Sequence, residues 1–365
     1  MENILRDAHN RSIRDLRISL TDRCNFRCFY CLPNGEPPLA RKDTILTFEE
    51  IIRVSEIFVS LGIEKIRLTG GEPMLRKDIH VLIAKLDRLR NAQSGMLNEK
   101  IETDDQKAET KNRATNPHSA LRIPHLKDLA LTTNGYRFPE RAADLKRAGL
   151  DRVTISLDSL KSENFKRITS VDALENVLNS IETAKTLGLT PVKINVVVVR
   201  GWNEDEIVDF ARFARQRAVS VRFIEFMPLD SSREWRREQI VSGREIREKI
   251  NRVFPLQLKE KSRGAETAWK YKFADGAAGE IGIVAPVTEA FCGACSRIRL
   301  TADGQIRTCL FSTSEYNLRD LMRTGASREE IVGFIRETVL KKEASHQIGD
   351  AKFVQPARTM SFIGG

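Results

Sequence analysis

Apolar and polar positions along the first two thirds of the chain switch between two periods. Short runs dense in Leu, Ile, Val and Phe predict strands at LRISLT (16–21), EKIRLTG (64–70), DLALTTN (128–134), RVTISLD (152–158), VKINVVVV (192–199) and VRFIEFM (221–227). Between them, apolar residues recur at helical spacing, as in TFEEIIRVSEIFVSLG (47–62), LENVLNSIETAKTLG (174–188) and NEDEIVDFARFARQR (203–217). Thr47 followed by Glu50 is a capping-box pattern, and Gly62 and Gly188 are natural helix stops. Six such units predict a parallel α/β barrel, left incomplete because it falls short of the roughly eight units that close one.

Two stretches depart from this pattern. Residues 91–122 are polar and charged, with almost no aromatics, and read as a mobile surface insertion after the second helix. From about residue 228 the pattern shortens to strands and turns, WKYKFAD, GEIGIVAP and SRIRLTADGQIRTCLF, with a closing helix near 327–342. The expected organisation is a partial (β/α)6 barrel over 1–227 and a smaller C-terminal α+β region over 228–365.

Charge adds a constraint. Lys and Arg number 60 against 50 Asp and Glu, a net charge of +10 and a pI near 9.4, which suggests an anionic partner. No apolar run approaches the roughly 18 residues of a membrane span. The opening MENILRDAHNRSIRDLR is charged where a signal peptide would be apolar, so the chain is expected in the cytoplasm.

Parallel barrel strands, packed on both faces, should be nearly continuous apolar runs. Four of these six nevertheless carry an internal cation: Arg17, Arg67, Lys193 and Arg222. Lys65 lies two residues before Arg67, hence on the same strand face, with Thr69 following. A buried unpaired charge costs several kcal/mol, so these cations need inward acids such as Asp158 or Glu225, or an anionic ligand. A polyanion inside the barrel accounts for all four together. Arg222 fits least well, since strand parity points it away from Met227. Working groups in such barrels sit at the C-terminal strand ends, which here read TDRC, TGGEP, TTNG, SLD, NVVVV and EFM.

The six cysteines form two trios, Cys24, Cys28 and Cys31 in the first and Cys292, Cys295 and Cys309 in the second. In a reducing compartment, clustered thiols more often bind metal than form disulfides. Structural zinc normally takes four ligands, and neither trio has an adjacent fourth Cys or His; Asp303 is a weak candidate on a turn. Three thiolates on a 4Fe–4S cube would leave one iron open. Spacing alone leaves zinc and cluster level.

CNFRCFYC together with TGGEP, SLD and EFM resembles the radical S-adenosylmethionine (SAM) superfamily. The second trio, the internal cations and the final IGG narrow the resemblance to the family that cyclises GTP in molybdenum cofactor biosynthesis. It covers nearly the whole chain apart from 91–122.

That resemblance implies that Cys24, Cys28 and Cys31 ligate one 4Fe–4S cluster whose open iron chelates SAM. Tyr30, Gly71, Ser156 and Met227 match SAM-contact positions. Cys292, Cys295 and Cys309 match a second 4Fe–4S cluster, which binds the purine of GTP. Arg17, Lys65, Arg67, Thr132, Lys193, Arg222, Arg297 and Arg299 are expected at GTP, guanidinium forks being suited to a triphosphate. Gly364 and Gly365 would reach into the barrel as a substrate-arranging tail, anchored by the preceding Phe362–Ile363 pair.

The implied lyase reaction uses one electron to cleave SAM to a 5′-deoxyadenosyl radical, which takes hydrogen from C3′ of GTP before C3′ attacks C8, giving 3′,8-cyclo-7,8-dihydro-GTP. No residue is needed as a general base for the hydrogen abstraction. An electron-donor protein, the next pathway enzyme (cyclic pyranopterin monophosphate synthase) and a homodimer are the expected protein partners. The rival readings are a peptide-modifying radical SAM enzyme with an auxiliary cluster and a zinc-stabilised nucleic-acid binder. The former usually carries more C-terminal cysteines. The latter should interleave exposed aromatics with Lys and Arg, and only 7% of residues are aromatic.

Overall fold

The computed structural model describes residues 4–32, 39–90, 125–230, 233–260 and 262–364. The expected insertion at 91–122 lies outside the described residues, as does Gly365. Six strands form where the apolar runs stood: β1 (Asp15–Ser19), β2 (Lys65–Thr69), β3 (Asp128–Thr133), β4 (Arg152–Ser156), β5 (Lys193–Val198) and β6 (Ser220–Glu225). Helices α1 (Phe48–Ser60), α2 (Ile79–Asp87), α3 (Phe138–Arg147), α4 (Ser162–Thr169), α5 (Leu174–Thr186) and α6 (Ile207–Arg217) fill the crossovers, and α7 (Gly243–Asn251) follows β6. Thr47 and Glu50 close a reciprocal capping box on α1, which buries Ile51, Val54, Ile57 and Phe58 against the sheet.

The helix read over 203–217 begins only at Ile207. Asn203 is occupied elsewhere: its Nδ2 donates to the carbonyls of Asp158 (2.7 Å) and Val197 (2.9 Å), and its Oδ1 accepts from Val199 N–H at 2.9 Å. Glu206 likewise receives Ser159 Oγ (2.7 Å) and Leu160 N–H (2.7 Å). These bonds hold residues 200–205 in turns and fix the C-terminal ends of β4 and β5.

The later elements are β7 (Leu256–Leu258), β8 (Trp269–Phe273), β9 (Glu280–Val284), β10 (Arg297–Leu300), β11 (Gln305–Arg307) and β12 (Tyr316–Asn317), then α8 (Leu318–Arg323), α9 (Arg328–Leu340) and a single turn α10 (Met360–Ile363). All twelve strands share one sheet, in the order β12-β11-β10-β1-β2-β3-β4-β5-β6-β9-β8-β7. Parallel pairing runs unbroken from β10 through β1–β6 to β9. The C-terminal strands thus extend the barrel wall at both edges, and among the described residues the two ends of the sheet do not pair, so the barrel stays open. Outward positions such as Leu16, Ile18, Ile66 and Leu68 are fully buried beneath the helices; the alternate positions face the interior.

Candidate functional site

The cysteine loop leaves β1 and is pinned by the loop after β2. Gly71 N–H donates to the Thr21 carbonyl (2.7 Å) and Glu72 N–H to that of Arg23 (2.8 Å). A Cβ at Gly70, where φ is +124°, would lie 2.4 Å from Thr21 O, and one at Gly71 would lie 2.2 Å from Arg23 O. Both positions therefore require glycine for this loop-on-loop packing before any ligand is considered. Glu72, fully buried, accepts from Met74 N–H (2.9 Å), Thr133 Oγ1 (2.8 Å) and Asn134 N–H (2.7 Å). Burial still pushes its carboxyl up to about 7. Asn134 reaches back to Asn25 Oδ1 at 2.8 Å, and Phe26 N–H points at Cys24 Sγ at 3.4 Å.

All six cysteines are free and half-exposed, and all six line one interior cavity at the C-terminal strand ends. No group of three or more His, Cys, Asp and Glu side chains among the described residues converges on a point that would hold a single metal ion. Each trio brings three thiols to one cavity, as a 4Fe–4S cluster with each thiol on a separate iron requires. The donor set thus fits two clusters. In the first trio burial pushes Cys24 up to about 11 and Cys31 up to about 12, and raises Cys28 as well.

The second trio is assembled by a hairpin. Cys295 precedes β10 and Cys309 follows β11, which pairs antiparallel to it with Arg299 opposite Arg307. Asp303 at the hairpin tip is held by Arg358 through two bonds of 2.8 and 2.9 Å and by Thr301 Oγ1 at 2.6 Å, so it is not a ligand to the trio. Burial raises the Cys295 thiol, but Arg297, with Nη2 3.2 Å from Sγ, and Lys342 outweigh it and leave the thiol below its ordinary range.

Tyr30, Gly71, Ser156 and Met227 all line this upper cavity. Tyr30 hydroxyl donates to Asp158, whose other oxygen accepts Val197 N–H at 2.7 Å; burial pushes the Asp158 carboxyl up to about 6. Arg17, Arg67, Thr132, Arg222, Arg297 and Arg299 line the same cavity. Strand register makes Arg299, Arg17 and Arg67 direct neighbours across β10, β1 and β2. Arg67 Nη1 donates to Thr132 Oγ1 (3.2 Å) and Thr154 Oγ1 (3.0 Å). Lys65 and Lys193, first residues of their strands, instead line a second cavity at the N-terminal strand ends, into which Arg17, Arg67, Arg222 and Arg297 also project. The segment 265–267 covers that end.

Arg222 faces inward despite the parity argument, because Met227 lies beyond the end of β6 and strand alternation no longer governs it. Gly282 opposite makes room: a Cβ there would sit 2.9 Å from Arg222 Cγ. Burial is the first cause lowering Arg17 well below its ordinary value, Arg67 to about 10, Arg299 to about 9 and Lys193 to about 6; neighbouring cations add to it. The inward-acid alternative is not what the fold uses. Asp158 is taken by Tyr30 and Val197, while Glu225 accepts from Gly243, Val287 and Thr288.

The tail enters the same cavity through Met360 and Ser361. Ile363 is fully buried, and Arg299 Nη1 donates to the Gly364 carbonyl. A Cβ on Gly364 would meet Thr69 Cγ2 at 2.5 Å and Ser19 Oγ at 2.6 Å. Sequence reasoning missed Glu72, Asn134, Thr154 and Glu266. Glu72 was legible only as part of a turn, and Thr154 only through its register beside Thr132.

Two family signatures match the chain: Radical SAM superfamily over residues 18–214 and Molybdenum Cofactor Synthesis C over residues 219–348. The GTP 3′,8-cyclase of Thermodesulfovibrio yellowstonii is 41% identical over 366 residues, covering 99% of this chain and 100% of that protein. The mitochondrial GTP 3′,8-cyclase of Arabidopsis thaliana is 38% identical, covering 100% of this chain and 84% of its own length. Among solved structures, Streptococcus suis SuiB bound to S-adenosylmethionine superposes with a TM-score of 0.56 at 14% identity, over 96% of this chain and 77% of that one. Native anSMEcpe with bound AdoMet does so with a TM-score of 0.56 at 14% identity, over 92% and 82%. At such identity the structural likenesses speak to fold alone.

Proposed function

The chain belongs to the GTP 3′,8-cyclase family of the radical SAM superfamily, and from that premise we propose how its own residues divide the work. It is a lyase that converts GTP to 3′,8-cyclo-7,8-dihydro-GTP, the first step of molybdenum cofactor biosynthesis, with two 4Fe–4S clusters and SAM. When bound, the first cluster and SAM supply the 5′-deoxyadenosyl radical.

Cys24, Cys28 and Cys31 hold the first cluster, and Cys292, Cys295 and Cys309 hold the second. Tyr30, Gly71, Ser156 and Met227 receive SAM beside the first trio. Arg17, Lys65, Arg67, Thr132, Lys193, Arg222, Arg297 and Arg299 bind GTP, with the guanidinium row of β10, β1 and β2 along the phosphates. Residues 1–227 serve radical generation, and residues 228–365 complete the substrate side. Gly364 and Gly365 serve as the substrate-arranging tail, helping to fix C3′ and exclude water. A protein electron donor, the next enzyme of the pathway, a homodimer and a cytoplasmic setting belong to the same proposal. Among the described residues no helix is long and apolar enough to cross a membrane.

The observation that carries this reading is one cavity lined by both cysteine trios together with guanidinium groups that have no carboxylate partner among the described residues. Anaerobic incubation of reconstituted protein with GTP, SAM and a reductant, followed by product identification, tests it. 5′-Deoxyadenosine accompanied by cyclised GTP is expected. Deoxyadenosine with unchanged GTP would refute the substrate assignment.

A further inference from the structure

The cavity at the N-terminal strand ends constrains the ionic form of the substrate as well as its class. Seven cationic side chains line it against three carboxylates, a formal excess of four positive charges. Two of the carboxylates are already engaged. Asp128 takes both forks of the Arg152 guanidinium, and Asp15 accepts the Ser296 hydroxyl. The third, Glu266, lies on the covering segment, 3.7 Å from Lys270 Nζ and within the field of Arg222, Lys193 and Lys65. None of Arg17, Lys65, Arg67, Lys193 and Arg222 has a carboxylate within 4.0 Å among the described residues.

We propose that this site takes the nucleotide triphosphate as the free anion, without a divalent cation. The proposal rests on GTP being the substrate. Magnesium bound at phosphates ordinarily draws on one or two protein carboxylates and keeps several waters. Among the described residues the one lining carboxylate left for it is Glu266, which already faces Lys270 Nζ at 3.7 Å, and the surroundings are guanidinium and ammonium groups that repel a further dication. A free triphosphate with its last phosphate ionised carries about four negative charges, equal to the excess in the cavity. Its magnesium complex carries about two, leaving buried cations uncompensated. Bidentate guanidinium contacts also occupy the phosphate oxygens that a chelated metal would use. Glu266 is then a like charge facing the phosphates and is not a metal ligand.

The test is equilibrium dialysis of GTP against the anaerobically reconstituted holoenzyme, first in EDTA and then with magnesium set so that about nine tenths of the nucleotide is chelated. The apparent Kd should rise about tenfold with magnesium, in proportion to the free fraction lost. Glu266→Gln, checked for an unchanged melting temperature, should tighten binding in EDTA and keep the magnesium penalty. A Kd that is unchanged or lower with magnesium overturns the proposal, as does a Glu266→Gln protein that loses GTP only when magnesium is present. If GTP binds under neither condition while SAM cleavage persists, the substrate assignment itself fails and the proposal falls with it.

Discussion

The two cysteine trios share a cavity but sit in opposite fields. Around the first, two carboxyls, Asp158 beside Tyr30 and Glu72 beneath Asn134, stand against the guanidinium of Arg27, which donates to the Cys24 carbonyl at 2.7 Å, and all three thiols are pushed up by burial. Around the second, burial still raises the Cys309 thiol, but Arg297 and Lys342 outweigh it at Cys295 and pull that thiol down, with Arg299 close behind. The same donor chemistry has been placed at one end beside two buried carboxyls and at another end rich in cations. On the proposed assignment, the positive sulfonium of SAM would lie at the first end and the GTP polyanion at the second, and this polarity would sort the two ligands along one chamber. A sulfonium beside Asp158 and Glu72 would also hold ionised two carboxyls that burial pushes up to about 6 and about 7.

The strongest way to break this comparison is to remove one end. Replacing Cys292, Cys295 and Cys309 with Ala should abolish cyclisation and lower iron from about eight to about four atoms per chain, with reductive SAM cleavage still detectable. Full iron content in that variant would mean that the second trio is not a cluster site. Next in size, Gly364→Ala should suppress cyclisation by two orders of magnitude or so, with iron content and melting temperature close to wild type. The added methyl would meet Thr69 and Ser19 at about 2.5 Å, and normal turnover would show the tail to be dispensable.

A crossed pair of variants sharpens the polarity. Arg17→Ala should weaken GTP about tenfold or more, with a smaller loss for guanosine, and leave SAM affinity alone. Asp158→Asn should do the reverse, through its loss of charge and its altered hold on Tyr30. If each variant shifts both ligands equally, the two fields are not separate.

The smallest expected effect is on pH dependence. In the free protein Lys193 is pushed to about 6 by burial, then by Arg222, Arg152 and Arg67, with Glu266 opposing. A bound triphosphate raises that value. Its contribution to affinity is therefore full below about pH 6 and fades as pH climbs through the bound-state value, at no more than about tenfold per unit. Calorimetry in buffers of different ionisation heat should register proton uptake on GTP binding near pH 7.5, and Lys193→Met should remove it.

Much of this was legible in the sequence, for reasons that differ by element. The six barrel strands and the α1 cap were readable because apolar period and capping chemistry act locally. The cations were readable because charge inside an apolar strand is conspicuous. The start of α6 was not, since Asn203 and Glu206 satisfy groups on β4 and β5 that only tertiary structure brings near. Nor was the placement of β9 and β10, because hydrophobic periodicity reports which face is covered and is silent about which strand lies alongside. The depth of Lys65 and Lys193 escaped for a similar reason. Strand parity gives a side, while height along the barrel depends on where each strand begins.

The pairing of β1 with β10 also governs how the molecule comes into being. Asp15 lies against Arg297, so the first strand made must wait for one of the last. At about 5–20 residues per second that interval is roughly fifteen to sixty seconds of synthesis. Throughout it β1 presents an open backbone edge on one side, and β6 presents another until β9 arrives. A nascent chain stalled or cut before residue 280 would be an adhesive ribbon with two unpaired borders, which makes this a fold that depends on prompt completion or on shelter while it waits.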